Sequence, residues 1–158
     1  MPSALHAFLA HDHERLDALL EECRRAEGVD CLEKYDEFRR GLLRHIGIEE
    51  RVLFPELRKR RGVTSLEQQL HRDHAALAAL LVPPPGRAEI EQITAILETH
   101  NRLEEDAGGL YEIIEDLAAE DLPALMERVH AIPAIPVAPF SDTPLLRQTI
   151  EQLLRERM

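Results

Sequence analysis

The chain spells one pattern twice. Residues 12–20 read DHERLDALL and residues 73–81 read DHAALAALL, while residues 45–50 read HIGIEE and residues 100–105 read HNRLEE. The order DHxxLxALL, HxxxEE, DHxxLxALL, HxxxEE places four histidines and two glutamates at equivalent points in two halves of one small protein. Imidazoles and carboxylates supplied in this number are the ligand set of a two-metal site.

Periodicity says what carries them. Leu5, Leu9, Leu16 and Leu20 recur at helical spacing, with His13 in the gap, and predict a helix from about Ser3 to Arg25. Phe38, Leu42, His45, Glu49, Val52 and Leu53 share a stripe on a second helix, about Cys31 to Arg60, which Pro55 should kink or redirect. Thr64 with Glu67 spells a capping box at the start of a third helix, whose inner face is Leu66, Leu70, His74, Leu77 and Leu81. After VPPPG, a fourth helix is expected from about Arg87 to Ala119, with Ile93, Leu97, His100, Glu104, Ala107, Tyr111 and Ile114 inward. Short connections between long amphipathic helices imply an all-α, up-down-up-down antiparallel four-helix bundle over residues 1–120. Residues 121–158 read as a short helix, the proline-punctuated connector AIPAIPVAPF, and a last helix opened by Thr143-Pro144. That last helix has an apolar side, which packs on the bundle or across a homodimer.

The spacing of the polar interruptions carries the chemistry. A helix returns to one face every three to four residues. His45 with Glu49, and His100 with Glu104, therefore reach one centre as pairs, while His13 and His74 come singly from the other two helices. A carboxylate has two oxygens and can bridge two ions, so each ion would receive two histidines and a share of two glutamates. An oxide or hydroxide bridge would make five donors and leave a position for a small exogenous ligand. Buried carboxylates without partners cost several kcal/mol, and a cation removes that cost. With no thiolate in the set, the site suits iron, manganese or zinc more than a structural zinc.

The segments HDHERLDALL, HIGIEERVLFPEL, HRDHAALAALL and HNRLEE resemble the hemerythrin-like HHE cation-binding family, over about residues 3–119. The resemblance implies a four-helix bundle with a non-haem di-iron centre. His13, His45, His74 and His100 would be terminal ligands, and Glu49 and Glu104 would bridge. Oxygen-carrying hemerythrins resemble HxxxE, then HxxxH, then HxxxxD. This chain has HxxxE twice, His71 and His74 only three apart, and Glu105 rather than aspartate at the five spacing. That departure points away from reversible oxygen carriage. It points toward members that handle iron or respond to oxygen, nitric oxide or redox state, or to iron-centre repair proteins.

Composition sets the outer limits. Lys+Arg total 19 against Asp+Glu 30, a formal net charge of −11, which disfavours nucleic acid and anionic membranes as partners. No stretch approaches the roughly 20 apolar residues of a membrane span, and no secretion signal opens the chain, so the cytoplasm is the expected location. Cys23 and Cys31 flank the loop EGVD and are expected as reduced thiols, with a redox-active pair as the alternative. Asp12 and Asp73 are expected to be solvated or to support a ligand from outside, as is His71, for which a place as a third histidine ligand is the alternative. Glu50, Glu105, His6, His11 and His130 are expected outside the site, Tyr111 in the core, and Arg58, Lys59, Arg60 and Arg61 at a solvated helix end. The expected function is binding of dioxygen, nitric oxide or peroxide at a di-iron site, for sensing, iron handling or protection. The alternatives are a di-iron enzyme, peroxidase-like or of iron-centre repair type, and a metal-stabilised interaction module.

Overall fold

The structure, a computed structural model, describes residues 3–26 and 29–158, and every regular element among them is helical. Helix α1 (Ala4–Arg25) begins at Ser3, whose hydroxyl caps the His6 N–H. Helix α2 (Val29–Ile48) passes into a five-residue π segment (Glu49–Leu53) and then into α3 (Phe54–Arg61) without leaving helical geometry. Helix α4 (Ser65–Leu80) is capped by the Thr64 hydroxyl on Glu67 N–H at 3.2 Å, as the capping-box spelling predicts. Helix α5 (Arg87–Glu105) is followed by α6 (Leu110–Leu117), a short 3-10 turn, α7 (Leu122–His130) and α8 (Pro144–Glu156). Four rods (α1, α2–α3, α4 and α5–α6) form the four-helix bundle.

The second rod changes its path before Pro55, as expected, while the fourth departs from the single helix expected of it. Pro55 has no N–H, and its ring would clash with the carbonyl four residues earlier. The chain widens before it arrives: Phe54 N–H bonds to Glu49 O, five residues back, which is π geometry. The fourth helix does not run on to Ala119. It stops at Glu105, turns through Asp106–Gly109, and restarts at Leu110. Gly108 holds φ +80 in that turn, and Ala107, expected inward, is exposed. The Gly-Gly pair outweighs the apolar periodicity on either side of it.

Two apolar clusters fill the bundle. One gathers Leu16, Leu20, Phe38, Leu42, Leu77, Leu80, Ile93 and Leu97; the other gathers Leu5, Leu9, Ile48, Leu53, Phe54, Leu70, Tyr111 and Ile114. Full burial of each leucine or isoleucine contributes about 1.5–3 kcal/mol. Between the clusters lies a polar layer in the middle of the bundle, with His13 between Leu9 and Leu16 on α1.

The connector after α7 straps the outside of α2. Ile135 lies over Gly47, Arg44 donates to Ile132 O at 3.1 Å, and buried Arg39 bonds to Ala138 O and stacks on Phe140 at 4.2 Å. Helix α8 then lies on α4 of the same chain, with Ile150 in the first apolar cluster. Cys23 and Cys31 form a disulfide with a Cα separation of 4.4 Å, in place of the two reduced thiols expected. The α1–α2 hairpin brings these positions within bridging range. Among the described residues, no helix is long and apolar enough to cross a membrane.

Candidate metal centre

All six residues singled out from the repeat meet in the polar layer. His13 comes from α1, His45 from α2, Glu49 from the π segment, His74 from α4, and His100 and Glu104 from α5. All are buried, and both glutamates are 0 % exposed. They form two groups of four, His13–His45–Glu49–Glu104 and Glu49–His74–His100–Glu104, in each of which the potential ligand atoms lie within 4.8 Å of one another. The two carboxylates belong to both groups.

Atom by atom, each glutamate addresses both halves. Glu49 lies 3.4 Å from His45 Nε2 through Oε2 and 3.1 Å from His74 Nε2 through Oε1. Glu104 lies 3.1 Å from His13 Nε2 through Oε1 and 3.3 Å from His100 Nε2 through Oε2. All four imidazoles thus turn Nε2 toward the shared centre.

Their other nitrogens are held by four further carboxylates. His13 Nδ1 meets Glu105 at 2.7 Å, His45 Nδ1 meets Asp12 at 2.8 Å, His74 Nδ1 meets Glu50 at 2.9 Å, and His100 Nδ1 meets Asp73 at 3.0 Å. Such partners fix the ring and raise its basicity toward a cation. The expectation that Glu50 and Glu105 face outward is corrected here, and Asp12 and Asp73 take the supporting role rather than the solvated one. The signal was present in the doublets DH, EE, DH and EE. Consecutive helical residues point about 100° apart, so one of each pair enters the centre and its neighbour turns to the adjacent helix. The four links close a ring. Helix α1 holds the histidine of α2, the π segment that of α4, α4 that of α5, and α5 that of α1.

Tyr111, expected as simple core, also reaches the centre. The turn at Asp106–Gly109 aims it there from the start of α6. Its hydroxyl donates to Glu49 Oε2 at 2.8 Å and lies 3.3 Å from Glu104 Oε1. It is 3.2 Å from His45 Nε2 and 3.3 Å from His13 Nε2, so it marks one half only. Burial, with the two carboxylates beside it, pushes its ionisation well above the ordinary tyrosine value. His71 stays outside: it is exposed and bonds to Glu50 at 2.7 Å. His6 bonds to Glu105 O at 3.0 Å, His11 pairs with Glu14 at the surface, and His130 packs on Phe8.

The electrostatics of the layer follow from burial against charge. Burial alone would lower the histidines. The charge of Glu49 and the Asp12 bond overcome it at His45, and the charge of Glu104 and the Asp73 bond overcome it at His100, each held up at about 10. His13 and His74 are likewise raised against burial by their carboxylate bonds. Burial would raise Glu49, but His45 beside it holds it well below the usual carboxylate range. Opposite the Tyr111 cluster, Leu16, Leu42, Leu77 and Leu97 wall a cavity that also touches His13, His45, Glu49 and His100. Its free volume, about 10 Å³, is about what one water molecule needs.

The residues fit a metal-cation site. Donors are imidazole nitrogen and carboxylate oxygen, every imidazole is oriented from behind, and Glu104 Oε2 is buried without a hydrogen-bond partner. Fold and site together define a helical-bundle protein with a buried histidine–carboxylate cation site. The profile of the hemerythrin HHE cation binding domain matches residues 4–107, and the chain belongs to that family. Comparison with curated proteins and with solved structures yields no significant match.

Proposed function

We propose that this cation-binding domain holds two iron ions and engages a small ligand, dioxygen, nitric oxide or peroxide, in sensing, iron handling or protection against oxidative or nitrosative stress. His13 and His45 bind one ion, His74 and His100 the other, and Glu49 and Glu104 bridge them. The observation that carries this reading is the membership of both glutamates in both four-residue groups. Two independent sites would not share their carboxylates, and a purely structural polar layer would not orient four Nε2 atoms toward one centre. Bound iron would supply affinity for diatomic ligands and one-electron redox chemistry. The leucine-walled cavity beside the centre has room for a ligand of a few atoms at most as it stands.

A second reading, a peroxidase-like enzyme, is favoured by Tyr111. Its protonated hydroxyl, 2.8 Å from a bridging carboxylate, is a proton donor within the site.

Metal analysis of protein purified without added metal or chelator tests the proposal, with two iron atoms per chain expected. Glu49→Ala should lose both ions and His13→Ala only one. A single ion lost from Glu49→Ala would overturn the bridging assignment. Azide or nitric oxide should shift the visible absorption of the iron-loaded protein, and turnover of peroxide with a reductant would select the enzyme.

A further inference from the structure

The halves of the repeat differ in what holds their outer aspartates. Asp12 is followed three residues later by Arg15, whose guanidinium binds Asp12 Oδ1 at 2.8 and 3.0 Å. The equivalent position after Asp73 is Ala76, only 1 % exposed. Asp73 nonetheless has an arginine, brought from the far end of the chain. Arg157, 84 residues on and just past α8, donates Nε to Asp73 Oδ1 at 2.9 Å. Gln69 donates to the same oxygen and to the Arg157 carbonyl, each at 3.0 Å, which ties the end of α8 to α4. Asp73 Oδ2 is left for His100 Nδ1 at 3.0 Å.

Packing explains the exchange. Helix α8 covers this face of α4, with Ile150 in the same cluster as Ala76 and Leu77. An arginine at position 76 would lie beneath it. The helix that excludes a local arginine supplies one from its own end.

We infer that Arg157 is a positioning residue for the His74–His100 half, so that docking of the C-terminal helix and cation binding in that half stabilise one another. The inference rests on the two-cation reading above. A carboxylate held at one oxygen by Arg157 and Gln69 has its other oxygen aimed at His100, which in turn presents Nε2 to the centre. When α8 leaves, Asp73 keeps only Gln69 on that oxygen, and the backing of the His100 ring is weakened. Linkage is reciprocal, so an ion that depends on docked α8 must favour docked α8 by the same factor. The His13–His45 half has no such dependence, because Arg15 and Asp12 share one helix. The pair of ions is thereby divided into one insulated from the tail and one coupled to it.

The test uses the full chain, chelated and then titrated anaerobically with Fe(II). Wild type should bind two ions. Arg157→Ala should bind one ion with unchanged affinity and the other about tenfold more weakly, at the low end of what loss of an outer partner costs. Arg157→Lys should recover part of the loss. Hydrogen exchange of the α8 amides gives a second readout. Fe(II) should slow it in wild type and leave it unchanged in Arg157→Ala. Equal affinities for both ions in wild type and Arg157→Ala, or α8 exchange indifferent to Fe(II), would overturn the inference alone. A wild type that binds fewer than two ions would overturn the two-cation reading with it.

Discussion

Glu49→Gln in the metal-free protein isolates the charge of one bridging carboxylate while keeping its shape. The amide oxygen can still accept the Tyr111 hydroxyl, so the change falls on the ion pair with His45 at 3.4 Å and on the His74 contact at 3.1 Å. Burial opposes the His45 charge, and Glu49 is the largest of the groups that hold it up at about 10. A group raised above its unfolded value of about 6.5 contributes stability in full below that value and loses it as pH rises through the folded one. At pH 7 the ceiling is therefore the free energy over the three pH units from 10 to 7, about 4 kcal/mol at about 1.4 kcal/mol per unit. Asp12 and Glu104 remain beside His45 in the variant, so about 2–4 kcal/mol is expected. This agrees in scale with the roughly 3–5 kcal/mol of a broken buried pair.

Urea unfolding of chelator-treated protein measures it. With a slope of about 2 kcal/mol/M, the variant midpoint should fall by about 1–2 M at pH 7. At pH 10.5 His45 has shed its proton in both proteins, and the gap should close to a small residue. Equal midpoints at pH 7, or the same gap at both pH values, would refute the assignment of His45 and Glu49 as a charged pair.

Cation uptake at pH 7 should release protons, because His45 and His100, held up at about 10 against burial by Glu49 and Glu104, must give theirs up to bind; a pH-stat should record the release and its disappearance above pH 10. Tyr111→Phe should destabilise the metal-free chain by about 1.5–3 kcal/mol through the lost bond to Glu49 and, in a two-site titration, disturb only the His13–His45 ion. Glu105→Ala should weaken that same ion about 10–100-fold, and an unchanged titration would remove its role behind His13. Gly109→Ala should cost about 1–3 kcal/mol in thermal or urea unfolding, since a Cβ there meets the carbonyls of Leu103, Asp106 and Glu104 at 2.6–2.8 Å.

The fold and the inner residues were legible because both rest on helical spacing. His45 with Glu49 and His100 with Glu104 interrupt apolar stripes in phase, and a four-helix bundle with short connections buries those leucines together. The outer carboxylates were less legible because a residue one place off the inner face reads as solvent-facing until the neighbouring helix is positioned. Glu50 and Glu105, though part-exposed, each bond a histidine on the flank of another rod. Tyr111 is in the core, as its inward phase predicts; its reach into the centre is not legible in the sequence, because Gly108 at φ +80 breaks the periodicity at Asp106–Gly109 and re-aims the residues beyond. Arg157 was beyond sequence reading, since its partner lies 84 residues away across a connector of no periodic structure.

Both rods that carry an EE doublet change course just after it, and by different means. After Glu49-Glu50 the π segment keeps the rod continuous into α3. After Glu104-Glu105 the helix breaks, and α6 begins only at Leu110 after the turn. The doublet itself demands equivalence, because each pair must supply one shared carboxylate and one support for a histidine. The chain past each doublet is free to differ. Only the second course delivers a tyrosine, and it delivers it to the His13–His45 half. The C-terminal helix delivers its arginine to the other half. The repeat thus builds a symmetric inner cluster, and the segments that escape the repeat make its two halves chemically unlike. Under the small-ligand reading proposed above, that inequality would favour one position over the other, because identical halves would offer the ligand two equal positions.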